Sequence, residues 1–429
     1  MTSPRIVPFA AIFALIWITG ATLARAIRWP NDWAEAHWII TYRFGFIKRA
    51  LAGSLLELAV PPGQMEMGIR YVSAALLAAL VAALLCLGAR LCARSGWRPV
   101  MIFTVAAFFA SPYVVMSAHL IGYYDQLLVL LAILACACAL RGLPELAALL
   151  LVAGVFVHEN TLVLGLPVAI FAAILRLSPR QAGAAAPTAR RSLALRYALM
   201  AAAPLAAFLL LFAYQRYYVD LATLRPVLKD HIHHFPFVER GRHEMVSKAY
   251  TTAFAFYYKT QSPYFRERIL DLENGVQNGL TLLLLWTALA QGLRGRAFAW
   301  LHFIAGVALS LVPLALQLIA WDTERIWAFP AATAFIAAWC AWETREPAPG
   351  PRRPQTGAAA LVLAVVVFNI LIHTLLMDRL AERFTDAARM LLYAPALAAL
   401  ALVLAYHANP AVPAIDPGNS PAAIDPPPS

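Results

Sequence analysis

Long apolar runs recur along this chain from Ile6 to Tyr406, separated by short basic links and two longer polar stretches. Each run of about 20 apolar residues must hide its backbone polar groups from lipid, and a helix does so within one segment. The composition agrees: 62% of residues are hydrophobic and 13% are charged. A soluble domain is about half apolar and about a quarter charged. The short alternating strands of a membrane β-barrel are absent. The fold class is therefore all-α, a polytopic transmembrane helical bundle.

About twelve crossings fit the runs at this length per span. They are Ile6–Ala24, Tyr71–Ala89, Val100–Ala118, Gln126–Leu140, Leu146–Val157, Leu162–Leu175, Leu193–Ala213, Gly279–Ala290, Ala297–Ala320, Ile326–Trp342, Gly357–Met377 and Met390–Tyr406. Residues 146–175 could instead be one tilted helix. His158-Glu-Asn160 near its middle would then lie at high cost in the bilayer, so a hairpin that lifts them to the surface is favoured. Ala24-Arg-Ala26 mimics a signal-peptidase site, but the apolar run before it exceeds a usual signal core, so it is expected to stay as the first helix.

Arginines set the orientation. Arg90, Arg94, Arg98, Arg141, Arg176, Arg196, Arg294, Arg296 and Arg345 fall in one set of short links, against few acids. By the positive-inside rule that face is cytoplasmic, and both termini lie there, as in a multi-pass protein of a bacterial-type inner or plasma membrane. The longer stretches, 25–70 and 215–277, are then the outer loops. Residues 1–408 make one membrane domain, and the Pro- and Ala-rich segment 409–429 is expected to be a disordered cytoplasmic tail. The net charge of +11 reads as topology rather than nucleic-acid binding, for no soluble basic domain is visible. Cys86, Cys92, Cys136, Cys138 and Cys340 are read as small buried packing residues.

With this threading the candidate functional groups share the outer side. Asp32 and Glu35 follow the first span. Asp125 opens the fourth, His158-Glu159 ends the fifth, and Asp322, Glu324 and Arg325 precede the tenth. The first outer loop mixes Trp33, Trp38, Tyr42 and Phe44 with Arg43, Lys48 and Arg49, a composition suited to the headgroup layer, and Ala50–Leu58 reads as an interfacial helix. The second carries Arg225, Lys229, Arg240, Lys248 and His231-Ile-His-His234 among several tyrosines, apt for lipid phosphate and sugar rings. The histidine spacing matches no common zinc pattern, so no metal site and no cofactor are expected, and a divalent cation is not indicated.

Three places carry a family resemblance: Asn31-Asp-Trp-Ala-Glu35 after the first span, Ser117-Ala-His-Leu-Ile-Gly-Tyr-Tyr-Asp125 before the fourth, and Glu324-Arg-Ile-Trp-Ala-Phe-Pro330 late in the chain. In layout they resemble the GT-C class of membrane glycosyltransferases, which includes protein O-mannosyltransferases and aminoarabinose transferases. The likeness spans Ile6 to about Trp342 and is not a strict signature. Here the first-loop acids stand three apart rather than adjacent, and His158-Glu159 matches no known subfamily. The resemblance implies transfer of a sugar, with inversion, from a polyprenyl-phosphate-linked donor to a lipid, glycan or protein acceptor on the outer face. Partners would be that donor and membrane lipid.

Such a reaction needs a carboxylate to accept the acceptor's proton and cations to hold the leaving phosphate. Asp32 suits the base, with Glu35 orienting it from the same helix face and Asp125 facing the same cavity. His158 and Glu159 would bind sugar or relay a proton. Arg325 would be the main phosphate clamp, with Arg43, Arg49 and His234 as further substrate contacts. The rival readings are a lipid-linked glycan polymerase or ligase, which needs no carboxylate base, and a transporter or flippase. The chain shows no internal repeat that would favour transport.

Overall fold

A computed structural model describes residues 6–178, 187–345, 356–377 and 380–408, without the side chains of 187–190 and 254. Among them all regular structure is helical and no strand occurs. The expected tail 409–429 lies outside the described residues.

In chain order the helices are α1 (Ile6–Ala24), α2 (Asp32–Trp38), α3 (Ala50–Ala59), α4 (Met65–Arg94), α5 (Pro99–Phe109), α6 (Pro112–His119), α7 (Asp125–Leu140), α8 (Pro144–Val157), α9 (Thr161–Leu164), α10 (Leu166–Leu177), α11 (Pro187–Tyr218), α12 (Leu221–His233), α13 (Arg240–Thr251), α14 (Phe254–Gln261), α15 (Phe265–Ile269), α16 (Leu272–Leu293), α17 (Ala299–Leu311), α18 (Thr323–Glu343), α19 (Thr356–Leu371) and α20 (Asp386–Ala408). A 3₁₀ turn, Val312–Leu318, joins α17 towards α18.

Six helical stretches are long and apolar enough to cross a membrane: Ile6–Ala24, Pro62–Arg94, Pro99–His119, Arg191–Tyr218, Ala299–Leu318 and Asp386–Ala408. The chain is therefore read as a membrane protein. Every apolar run named above lies on helix, several of them shorter or interrupted. Pro112 restarts the chain as α6 from the helix's first turn, where its missing N–H costs no hydrogen bond. Residues 146–175 are not one helix. α8 stops at Val157, His158 is extended, and α9 begins at Thr161.

The centre of the bundle is α18. From Ile326 to Trp342 nearly every side chain is buried, and α18 packs most extensively along α16. A helix apolar on all sides suits a core or a membrane span, and α18 is enclosed by its neighbours. Phe335 stacks on Phe108 with ring centroids 3.9 Å apart, tying α18 to α5. The first and last helices, α1 and α20, pack together. Four cysteines are buried as expected, whereas Cys86 is exposed on the outward side of α4.

Both long loops are largely helical. α2 and α3 build the first, and α12 to α15 build the second. α13 packs on α2, so the second loop covers the first. This cover places a cavity at the end of the bundle where α7, α9 and α18 begin.

Candidate functional site

Asn31 caps α2 by accepting a hydrogen bond from the Ala34 N–H at 2.9 Å. Of this short helix, Trp33, Ala34 and His37 meet the cavity. The Trp38 indole donates to the Gly122 carbonyl at 2.7 Å. Gly122 has φ +92°, and a Cβ there would sit 2.8 Å from the Pro30 Cβ, so glycine alone fits between the two segments. The Tyr124 hydroxyl donates to the His37 carbonyl at 2.9 Å, and His37 Nδ1 meets the Tyr250 hydroxyl at 3.0 Å. First loop, α7 and α13 are thus locked around one histidine.

Arg49, at the N-cap of α3, has φ 64° and ψ 11°. A non-glycine residue held left-handed costs about 1 kcal/mol or more and marks a position fixed by its surroundings. Its guanidinium reaches Glu159. Nε donates to Oε2 at 2.9 Å and Oε1 at 3.0 Å, and Nη2 also contacts Oε1. Nη1 has no hydrogen-bond partner among the described residues. Glu159 stands in the break between α8 and α9. Beside it His158 Nδ1 accepts the Asn160 N–H at 3.1 Å, which leaves the neutral ring's proton on Nε2.

Arg325 lies in the first turn of α18. Its Nε and Nη2 donate to the two oxygens of Asp125, each at 2.7 Å, and Nη1 donates to Asp322 at 3.0 Å. The guanidinium also lies 5.0 Å from the Tyr123 ring centroid and 5.8 Å from that of Phe329. Asp125 starts α7, so its charge also complements the positive end of that helix.

The cavity has a volume of about 540 Å³. Its aromatic wall includes Trp33, Tyr123, Tyr124, Phe256, Tyr257 and Trp321. Its polar groups include His37, Arg49, His158, Glu159, Lys248, Asp322 and Arg325, and Asp125 lies behind Arg325 in a small adjoining pocket. Burial, aided by the Arg49 charge, depresses the His37 pKa to about 3, and the same two causes hold His158 well below its ordinary value. Burial works against Glu159, yet the Arg49 charge overrides it and holds the carboxyl well below the usual range. Near neutral pH the site therefore presents two uncharged imidazoles and two bidentate arginine–carboxylate pairs.

The structure brings together Arg49, His158, Glu159, Arg325 and, one layer back, Asp125. Four other candidates lie elsewhere. Asp32 accepts the Glu239 N–H at 3.1 Å, and Glu35 turns to Arg70 at 3.2 Å, since the α2 face bearing Trp33 and His37 is the one that meets the cavity. Arg43 pairs with Glu57 at 3.0 Å and meets the His231 ring. His234 bonds back to the Asp230 carbonyl at 2.8 Å. Among the described residues no group of three His, Cys, Asp or Glu side chains could hold a metal ion.

Sequence reasoning missed His37, buried two residues beyond Glu35. Its signal was position: it follows Trp33 by four residues, hence on the same helix face. It also missed a second buried cluster. Arg25 and Glu382, both fully buried, share hydrogen bonds of 2.7 and 2.8 Å, and Arg389 joins at 3.5 Å. This cluster fastens the end of α1 to the segment between α19 and α20. No protein-family model, curated protein or solved structure matches the chain.

Proposed function

We propose that this protein is an inverting membrane glycosyltransferase with the GT-C layout. It moves a sugar from a polyprenyl-phosphate-linked donor to an acceptor at the outer face of a bacterial-type inner or plasma membrane. In this reading the apolar runs make about twelve crossings, with the shorter helices α7, α8, α10 and α19 spanning inside the bundle, and both termini are cytoplasmic.

One observation carries the reading. Arg49, Glu159, Asp125 and Arg325 come from four separate segments and converge at a single aromatic-walled cavity at one end of the bundle. Buried charges are costly unless paired, and their gathering at one site is a mark of function. The chemistry suits the parts. Aromatic faces such as Trp33, Tyr257 and Trp321 stack on a sugar ring, and uncharged His158 donates to a hydroxyl through Nε2. Arg49 holds the leaving phosphate through its bare Nη1. Arg325 has all three nitrogens engaged, so it sets the position of Asp125 and Asp322 rather than clamping phosphate first. The proton acceptor is then a cavity carboxylate, not Asp32 or Glu35.

The test is transfer by the purified protein in proteoliposomes, offered a panel of polyprenyl-phosphate sugars, with the anomeric configuration of product and donor read by NMR. Product of inverted configuration supports the reading. Uptake of donor into the vesicles without product supports transport instead.

A further inference from the structure

Glu159 faces the Arg49 guanidinium, which it holds on two nitrogens, and His158 Nδ1 at 3.5 Å, with the Lys48 charge farther off. Arg49 in turn has no acidic partner except Glu159 among the described residues. Its backbone is held left-handed, which fixes where the side chain leaves the chain. Its third nitrogen, Nη1, makes no hydrogen bond among the described residues and is not sealed from solvent. The pair is buried and bidentate, yet both members line the cavity wall.

A phosphate oxygen and a carboxylate compete for the same planar fork of donors. From this we infer that Glu159 masks an anion site on Arg49, and that phosphate binding and release of the Glu159 carboxylate are one exchange. The ligand class is a phosphate monoester or diester, whether a lipid headgroup or free phosphate. Nη1 receives the first phosphate oxygen while Glu159 still holds Nε and Nη2, and the second oxygen displaces the carboxylate from Nη2.

Resting on the transferase reading, the exchange orders the reaction. Glu159 is engaged as long as the donor phosphate is absent. Once displaced, it is a desolvated carboxylate beside the bound sugar. The acceptor hydroxyl oxygen then attacks the anomeric carbon, and the carbon–oxygen bond to phosphate breaks with its electron pair leaving on phosphate. The acceptor's proton passes to Glu159 and is later released to water. Arg49 stabilises the growing phosphate charge. Water or a stray hydroxyl meets no active base before the donor arrives.

The experiment measures binding of farnesyl phosphate, and separately of inorganic phosphate, to the full-length protein in detergent by calorimetry. Glu159→Gln removes the competitor and keeps the shape, so both probes should bind about tenfold tighter, while Arg49→Gln should lose about tenfold or more. Farnesyl phosphate binding far above inorganic phosphate assigns the site to a lipid headgroup; equal binding assigns it to free phosphate, with the exchange intact. If Glu159→Gln fails to give a cooperative melt, Glu159→Asp replaces it, since its carboxylate sits one methylene farther back, reaches the Arg49 guanidinium less well and should let phosphate bind more tightly than in wild type. Unchanged or weaker phosphate binding in the folded variant overturns the proposal, as does wild-type binding by Arg49→Gln. Tighter phosphate binding by Glu159→Gln, together with no transfer by the wild-type protein from any donor, leaves the exchange standing and removes the transferase reading.

Discussion

Arg325 and Asp125 stand 200 residues apart in the chain and meet through two parallel hydrogen bonds of 2.7 Å. The pair joins the start of the central helix α18 to the start of α7 and is nearly buried on both sides. Removing one member leaves the other charged in a poorly hydrated place. Asp125→Ala is expected to cost about 3–5 kcal/mol, read as a lower midpoint of thermal unfolding in detergent. Asp125→Leu combined with Arg325→Met should recover part of that loss, because an apolar pair replaces the ion pair while Asp322 loses its bond from Arg325. The double variant should still transfer no sugar.

Asp32 and Glu159 separate the reading of the sequence from that of the structure. Asp32 bonds outward to the Glu239 N–H, whereas Glu159 lines the cavity. Asp32→Asn should therefore keep transfer within about threefold, and Glu159→Gln should lose about a hundredfold or more, the usual scale for a positioned base. Initial rates with saturating donor measure both.

His37 makes stability depend on pH. Its folded pKa is about 3 against an ordinary 6.5. The unfolded chain therefore binds the proton first as the solution is acidified. The stability from keeping this ring neutral is complete above about pH 6.5 and is lost progressively down to about pH 3, at up to about 1.4 kcal/mol per pH unit. His158, also held low, steepens the same slope. His37→Asn should flatten the decline, measured as the midpoint of thermal unfolding from pH 7 to pH 4.5.

Gly53 lies where α3 crosses the extended chain after α2. A Cβ at this position would stand 2.8 Å from the Trp38 carbonyl oxygen and closer still to that of Ile40. Backbone atoms cannot yield as a flexible side chain can. Gly53→Ala should destabilise the protein by about 2 kcal/mol or more and loosen Arg49, which begins the same helix. A fall in thermal midpoint together with weakened phosphate binding is the expected pair of results.

The Arg25–Glu382 pair is a control for stability without chemistry. Both side chains are fully buried at the junction of α1 with the segment before α20, away from the cavity-lining residues. Glu382→Ala should cost about 3–5 kcal/mol in unfolding. At temperatures where the variant stays folded, its transfer rate should match wild type within about threefold.

Much of the helical framework was legible because apolar length has one solution in lipid. The break at His158–Asn160 was legible for the same reason, as three polar residues oppose a continuous span. Pro112 was passed over: the expected crossing Val100–Ala118 runs through it, whereas the chain restarts there as α6. The site was legible in part. Arg325, Asp125, His158 and Glu159 stood at run ends, where a charge is either solvated or functional. Asp32 and Glu35 looked better than His37 because carboxylates catalyse and a lone histidine is ambiguous. The deciding fact was rotational: which α2 face turns inward depends on its contacts with Gly122, Tyr124 and α13. Arg49 looked like one of three loop cations. Its left-handed backbone and its partner, 110 residues away, are tertiary facts that no local pattern carries. The Arg25–Glu382 cluster, spanning 357 residues, was hidden in the same way.

The most direct test of the account is single-turnover sugar transfer by Arg49→Met beside wild type, in proteoliposomes with a polyprenyl-phosphate sugar as donor and with folding verified by thermal melt. The account predicts transfer by wild type and a loss of about a hundredfold or more in the variant, because the cation facing the leaving phosphate is gone. Transfer at the wild-type rate without Arg49 would contradict it.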